Sequence, residues 1–150
     1  MTFPSCILVA SEDFENRRTL KTIIERECLD PICTSTVSES RKIIATENVG
    51  LVFCDRNLTD GNFRELLAAA KSLSPAVRLV VMSREFEWDE YLEAIRLGAF
   101  DVIASPCIAT DIECMILRAR RDEQKRERHV YSLQAENMEL PESLARGAMA

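Results

Sequence analysis

The chain has 150 residues, of which 47% are hydrophobic and 29% charged, a balance typical of one folded domain rather than a disordered segment. Nineteen Lys and Arg against 25 Asp and Glu give a net charge of −6, which disfavours general binding to nucleic acid or to an anionic membrane. We expect no transmembrane helix and no secretory signal. The chain has six cysteines but no CxxC pair, which indicates a reducing, cytoplasmic location.

Short apolar runs alternate with helical patterns along the chain. The predicted strands cover residues 6–10, 32–34, 51–54, 77–82 and 102–104. Gly98 is expected to end the fourth helix, and Thr36 and Thr110, each three residues before a Glu, are expected to cap the second and fifth helices. Strands that are apolar throughout need helices on both faces, so the sequence predicts a doubly wound, three-layer α/β sandwich around a parallel sheet.

In a sheet of this kind the functional site lies beyond the carboxyl ends of the strands. The polar residues expected there are Ser11, Glu12, Asp13, Asp55, Ser83, Arg84 and Ser105. The chain has only four glycines, which excludes a glycine-rich phosphate-binding loop. Its single histidine, His129, lies far along the last helix, which disfavours a Ser/His/Asp or Cys/His catalytic site.

The chain resembles the response-regulator receiver domain, the CheY-like family, over about residues 6–121. Its most specific part is the segment LVFCDRNLTDG, residues 51–61, which is similar to the hydrophobic strand, phosphoacceptor aspartate and turn of that family. The spacing from Asp55 to Ser83 and to Ser105-Pro106 also fits, as does Gly98-Ala99 before the fifth strand. The resemblance implies a flavodoxin-like, five-stranded sheet in the order 2-1-3-4-5.

The resemblance also implies a chemistry, in which a histidine kinase or phosphotransfer protein passes a phosphoryl group to one aspartate. Asp55 matches this acceptor, and Ser83 matches the hydroxyl that contacts the phosphoryl oxygens. A Mg²⁺ ion would be held by Glu12, Asp55 and the carbonyl of Asn57. Such a protein is not an enzyme beyond self-catalysed phosphotransfer, and it signals through contacts with a downstream protein in a phosphorelay.

Several positions depart from the family pattern. Ser11 replaces one of the two acidic residues after the first strand, so Mg²⁺ binding is expected to be weak. Ser105 replaces the phosphate-binding lysine, and Arg84 is either a substitute cation or a surface charge. Val102 occupies the position of the aromatic switch residue, and a short β-branched side chain cannot swing between buried and exposed states.

These departures leave two other interpretations open. The chain could be a pseudo-receiver that carries no phosphate and acts as a constitutive docking or oligomerisation module. A phosphatase with Asp55 as nucleophile would need a general acid, and the sequence offers none that matches.

The last helix extends past the end of a receiver domain. We predict a receiver over residues 1–121, a helical extension over 122–140, and a flexible tail over 141–150 after Pro141. Val130, Leu133 and Leu140 follow the apolar seam of this helix, but its middle is charged. A solvated helix that meets a partner is therefore favoured over a homodimer through the last helix. The sequence shows no helix-turn-helix motif, so direct DNA binding is not expected.

Overall fold

A computed structural model describes residues 3–85 and 87–139. The chain divides into two units, one of residues 4–119 and one that contains the helix from Arg120 onward. The predicted helix end at Pro141 and the predicted tail over residues 141–150 lie outside the described residues. In the described part of the chain, no helix is long and apolar enough to span a membrane.

Within the described residues, five parallel strands form the main sheet. They are β1 (Cys6–Ala10), β2 (Asp30–Thr34), β3 (Val49–Asp55), β6 (Arg78–Ser83) and β7 (Asp101–Ala104). Their order across the sheet is β2-β1-β3-β6-β7, which is 2-1-3-4-5 when only the strands of this sheet are counted. The predicted order and the predicted parallel arrangement are therefore confirmed.

In the described part of the chain, five helices connect or follow these strands. They are α1 (Phe14–Arg26), α2 (Val37–Thr46), α3 (Phe63–Leu73), α4 (Trp88–Leu97) and α5 (Ala109–Glu139). Thr36 caps α2 as predicted, since its side chain accepts a hydrogen bond from the backbone N–H of Glu39. The prediction that Thr110 caps α5 is wrong, because α5 already begins at Ala109. Gly98 ends α4 with φ 108°, a left-handed conformation that glycine adopts without strain.

The sheet is buried on both faces. On one face, Leu8, Val52 and Leu79 pack in a core cluster with Val37 of α2 and Leu66 of α3. Side chains alternate along a strand, so the neighbouring buried residues point to the other face. Those residues include Ile7, Phe53 and Val80, and the buried side chains of α1 and of residues 109–119 supply the apolar partners for that face.

A short antiparallel hairpin follows β3 and was not predicted. It consists of β4 (Asn57–Leu58) and β5 (Gly61–Asn62). Asp60 in its turn accepts hydrogen bonds from the backbone N–H groups of Val37 and Ser38 at 2.5 and 3.1 Å. A carboxylate at a helix N-terminus satisfies free N–H groups and meets the positive end of the helix dipole. This contact fixes the loop after β3 against the start of α2.

The helix α5 is buried only along part of the predicted seam. Ile112, Ile116 and Ala119 are buried, whereas Val130 and Leu133 are exposed. In the segment from Arg120 onward, Glu123 and Arg126 form a bidentate ion pair with distances of 2.7 and 3.2 Å. The charged middle of the seam is thus paired within the helix itself.

Candidate functional site

A cavity of about 260 Å³ opens at the carboxyl ends of the central strands. The residues that the resemblance assigns to phosphoryl transfer or to the metal all line it: Glu12, Asp55, Asn57, Ser83 and Arg84. The other lining residues are Asp13, Asn16, Arg56, Met82, Glu85 and Ser105. The fold therefore brings together residues that lie far apart in the sequence.

The carboxylate of Asp55 lines this cavity and accepts hydrogen bonds from two neutral side chains. The hydroxyl of Ser11 donates a hydrogen bond to Asp55 Oδ2 at 2.5 Å. The side-chain amide of Asn16 donates to Asp55 Oδ1 at 3.4 Å and to the Ser11 hydroxyl at 3.3 Å. Each oxygen of the carboxylate thus has a defined partner, and the orientation of Asp55 is fixed before any ligand binds.

Ser11 and Asn16 are placed by the junction of β1 and α1. The backbone N–H of Ser11 donates to the carbonyl of Thr34 at 3.0 Å, and the Ser11 carbonyl accepts from Arg17 Nη1 at 2.6 Å. Asn16 was missed from the sequence. Its signal was present, because Asn16 lies four residues before the buried Leu20 and so falls on the inward face of α1.

The environment of Asp55 raises the pKa of its carboxyl above the ordinary value, chiefly because burial disfavours the charged form. Hydrogen bonds from Ser11 and from the backbone of Glu12 oppose this shift. The negative charges of Asp13 and Glu12 add to it. Asp55 is therefore a carboxylate that gains from a cation or a neutralising reaction in its cavity.

This raised pKa predicts how Asp55 affects stability. A proton at Asp55 stabilises the fold below the ordinary Asp pKa of about 3.9, and this contribution is lost as pH rises through the higher folded-state pKa. Asp55→Asn should therefore be more stable than the parent chain at pH 7. The gain should vanish below about pH 3.9. Urea unfolding across this pH range measures it, and an equal difference at every pH would contradict the assignment.

Arg84 lies at the mouth of the cavity in an ion pair. Its Nη2 is 2.9 Å from Asp13 Oδ2, and its side chain is 68% exposed. Asp13 also caps α1, with Oδ1 accepting from the backbone N–H of Glu15 at 2.9 Å. An exposed pair of this kind contributes little to stability, so Arg84 is free to change partner at low cost.

Ser83 is buried at the end of β6. Its hydroxyl donates to the backbone carbonyl of Glu85 at 2.6 Å, and its own carbonyl accepts from the backbone N–H of Ser105 at 2.9 Å. The second contact holds the ends of β6 and β7 together, so Ser83 and Ser105 lie at the same edge of the cavity.

The thiols near Asp55 are poor nucleophiles. Burial raises the pKa of Cys107 to about 12, and the negative charge of Asp55 adds to the shift. Burial also raises the pKa of Cys54 strongly. A thiol with so high a pKa stays protonated at neutral pH, and only the thiolate reacts.

The sequence matches the response regulator receiver domain over residues 7–117. The chain belongs to the receiver domain family. Receiver domains are signalling proteins and are generally not enzymes. The receiver is 29% identical over 120 residues to the DNA-binding transcriptional regulator NtrC of Rhizobium meliloti strain 1021. That match covers 80% of this chain but 25% of the regulator, so the chain spans about a quarter of that relative's length.

Solved receiver structures share this fold. A CheY-like receiver domain protein from Methanospirillum hungatei JF-1 superposes with a TM-score of 0.74 at 25% identity, over 83% of this chain and 98% of that one. The signal receiver domain of a putative Luxo repressor protein from Vibrio parahaemolyticus gives a TM-score of 0.77 at 14% identity, over 83% and 95% of the two chains. The second likeness supports the fold alone.

Receiver domains conventionally bind Mg²⁺ at the phosphorylation site. The lining of this cavity includes Asp55, Glu12 and Asn57, residues with the oxygen atoms that Mg²⁺ prefers. Among the described residues, however, no three Asp, Glu, His or Cys side chains form a group that could hold a metal. The ligand types fit Mg²⁺, and the ion would keep several waters in place of protein ligands.

Ser11→Asp should tighten Mg²⁺ binding several-fold. The parent hydroxyl lies 2.5 Å from Asp55 Oδ2, so a carboxylate there would add a negative charge beside the ion site. Without metal the two carboxylates repel, so the variant should also be less stable than the parent when Mg²⁺ is removed. Calorimetric titration with MgCl₂ measures the affinity, and Ser11→Asn is the uncharged control. Equal or weaker binding by Ser11→Asp would show that the lost charge does not limit affinity.

Proposed function

We propose that this receiver accepts a phosphoryl group on Asp55 in a two-component phosphorelay. The observation that carries the proposal is the Asp55 carboxylate, which is oriented by Ser11 and Asn16 and lines a cavity of about 260 Å³. An oriented carboxylate whose negative charge is disfavoured by burial is suited to act as a nucleophile, and the charge of the added phosphoryl group calls for a cation in the cavity.

In the proposed step, a carboxylate oxygen of Asp55 attacks the phosphorus of a phosphohistidine. The new O–P bond forms as the N–P bond breaks, and its electron pair stays on the imidazole nitrogen of the donor. Hydrolysis reverses the modification, because water attacks phosphorus and the Asp55 carboxylate leaves. Bound Mg²⁺ would neutralise charge on the transferred oxygens. The orientation of Asp55 within the receiver promotes its own phosphorylation. The receiver is itself the phosphoryl acceptor and is not an enzyme that acts on separate substrates.

Ser83 and Arg84 complete the proposed machinery. The Ser83 hydroxyl would leave the Glu85 carbonyl and donate to a phosphoryl oxygen. Arg84 would supply a cation at the mouth of the cavity, exchanging Asp13 for the incoming phosphoryl group. Glu12, Asp55 and the Asn57 carbonyl would hold the metal.

The partners follow from the family. Receiver domains interact with histidine kinases. We propose a histidine kinase or phosphotransfer protein as donor and a downstream protein as the output partner. The proposed limits are a receiver over residues 1–121 and a helical extension over 122–140. The extension would contact the partner or pair with a second copy, without direct contact to DNA. Six free cysteines fit a reducing compartment, so we place its action in the cytoplasm.

Acetyl phosphate with MgCl₂, followed by intact mass spectrometry, tests the proposal. The parent chain should gain the mass of one phosphoryl group, and Asp55→Asn should gain none. The adduct should be lost at alkaline pH, as expected for an acyl phosphate. An unmodified parent chain at saturating acetyl phosphate, or equal labelling of Asp55→Asn, would contradict the proposal.

One observation favours the pseudo-receiver as the second candidate function. The hydrogen bonds from Ser11 and Asn16 satisfy both Asp55 oxygens with neutral groups, and Arg84 is already paired with Asp13. Such a network can hold the fold of the site without any phosphate. In that case the parent chain stays unmodified, and its partner binds equally well with and without beryllofluoride and Mg²⁺.

A further inference from the structure

Arg56, the residue after Asp55, connects the cavity of Asp55 to helix α4. Its backbone is fixed on both sides, since its N–H donates to the Met82 carbonyl at 3.1 Å and its carbonyl accepts from the Phe63 N–H at 3.0 Å. Its guanidinium then reaches α4, where Nη2 lies 2.7 Å from Glu90 Oε2. Arg56 is thus anchored at the site and extended to a neighbouring helix.

Arg56 lies between two cavities. It lines the cavity that contains Asp55, and it also lines a second cavity among α3, α4 and β6 that contains Glu90 and Val102. Ser83 and Glu85 line both cavities as well. Arg56 thus lines the Asp55 cavity while its guanidinium is paired with Glu90.

The Arg56–Glu90 pair is incompletely satisfied. The other carboxylate oxygen of Glu90, Oε1, is buried and has no hydrogen-bond partner. A neighbouring pair, Arg64 with Glu93, is bidentate at 2.6 and 3.0 Å, and Arg64 does not line the Asp55 cavity. A half-satisfied ion pair is exchanged more easily than a bidentate one, so Arg56 can change partner more easily than Arg64.

The site needs a cation from some element other than β7. Ser105 stands where the family carries a lysine, and Arg84 is exposed and paired with Asp13. Val102 is too short and stiff to carry a signal from the site to α4. Arg56 combines a positive charge at the cavity, a fixed backbone and an ion pair with α4.

We propose that Arg56 leaves Glu90 to pair with the phosphoryl group on Asp55, and thereby releases the N-terminal half of α4. The proposal rests on phosphorylation of Asp55. A phosphoryl group carries nearly two negative charges and more acceptor oxygens than a carboxylate, so it competes well for a guanidinium. Loss of Arg56 leaves Glu90 as an uncompensated, half-buried carboxylate, which favours movement of that helix toward water.

The chain contains a natural reporter for this movement. Trp88, its single tryptophan, lies two residues before Glu90 in α4 and stacks on Tyr91 with ring centroids 5.5 Å apart. A displacement of this part of α4 changes the stacking and the exposure of Trp88, and hence its fluorescence.

The test compares four variants treated with acetyl phosphate and MgCl₂. Arg56→Gln and Glu90→Gln remove the proposed switch, whereas Arg64→Gln and Glu93→Gln remove the neighbouring pair as matched controls. Labelling should fall at least about tenfold in Arg56→Gln, because the variant removes one group that stabilises transition-state charge. It should rise several-fold in Glu90→Gln, because the competing carboxylate is neutral. Both controls should stay within twofold of the parent chain.

The fluorescence of Trp88 is the second readout. It should change on phosphorylation in the parent chain and in both controls, and should not change in Arg56→Gln driven to full labelling. If Arg56→Gln is labelled at the parent rate and still shows the Trp88 change, the switch is wrong while phosphorylation of Asp55 stands. If the parent chain gains no phosphoryl group, both the proposed phosphorylation of Asp55 and the proposed switch are wrong.

Discussion

Ser105→Lys should raise the rate of Asp55 phosphorylation by acetyl phosphate by about tenfold or more. Ser105 lines the Asp55 cavity beside the end of β6, so a lysine at this position can bring its ammonium to the phosphoryl oxygens. The transferred group spreads negative charge over these oxygens in the transition state, and a fixed cation stabilises that charge more than it stabilises the reactants. Rates of intact-mass gain under identical acetyl phosphate and Mg²⁺ concentrations measure the effect.

The control for this prediction is Ser105→Gln, which adds a long polar side chain without charge. It should not accelerate labelling. The variant Arg84→Ala should be labelled more slowly than the parent chain, because it lacks the cation at the mouth of the cavity. Labelling of Arg84→Ala at the parent rate would show that Arg84 is only a surface charge. Labelling of Ser105→Lys at the parent rate would show that the missing lysine does not limit the reaction.

Phe53→Ala should lower the free energy of unfolding by about 3–5 kcal/mol. Phe53 lies in the central strand β3, two residues before Asp55, and its side chain is 0% exposed. Truncation removes the buried ring and leaves a cavity between the sheet and the covering helices, which cannot collapse fully because the strand is paired on both sides.

The matched control for Phe53 is Phe14→Ala at the start of α1. Phe14 is 63% exposed, and its ring contacts the Arg17 guanidinium at 5.7 Å from the ring centroid. Its loss should cost about 1 kcal/mol or less. Urea denaturation followed by circular dichroism gives both values. Similar losses in the two variants would mean that the core does not pack around β3 as the structure shows.

The fold of residues 6–119 was predictable from sequence because the inner strands are largely apolar and alternate with segments of helical periodicity. Residues 51–54 lie inside β3 as expected, and Gly98 ends α4. The error at Thr110 has a local cause. A capping box and an internal turn share the same residue spacing, and only the hydrogen bonds of the folded chain show where a helix begins.

The proximity of the site residues in the folded chain was also predictable in outline. The carboxyl ends of parallel strands meet at one edge of a sheet, so Asp55, Ser83 and Ser105 had to lie near one another. The hairpin after β3 was not predictable, since two-residue strands carry no periodic signal.

The partners of each charged group were decided only by tertiary structure. Nothing in the sequence indicates that Asn16 donates to Asp55, that Arg84 pairs with Asp13, or that Arg56 reaches across to Glu90 of α4. Apolar periodicity is a property of neighbouring residues along the chain, and burial of that pattern determines the fold. A hydrogen bond or ion pair requires two atoms about 3 Å apart, to within a few tenths of an ångström, and only the packed helices and strands bring residues far apart in sequence to that distance.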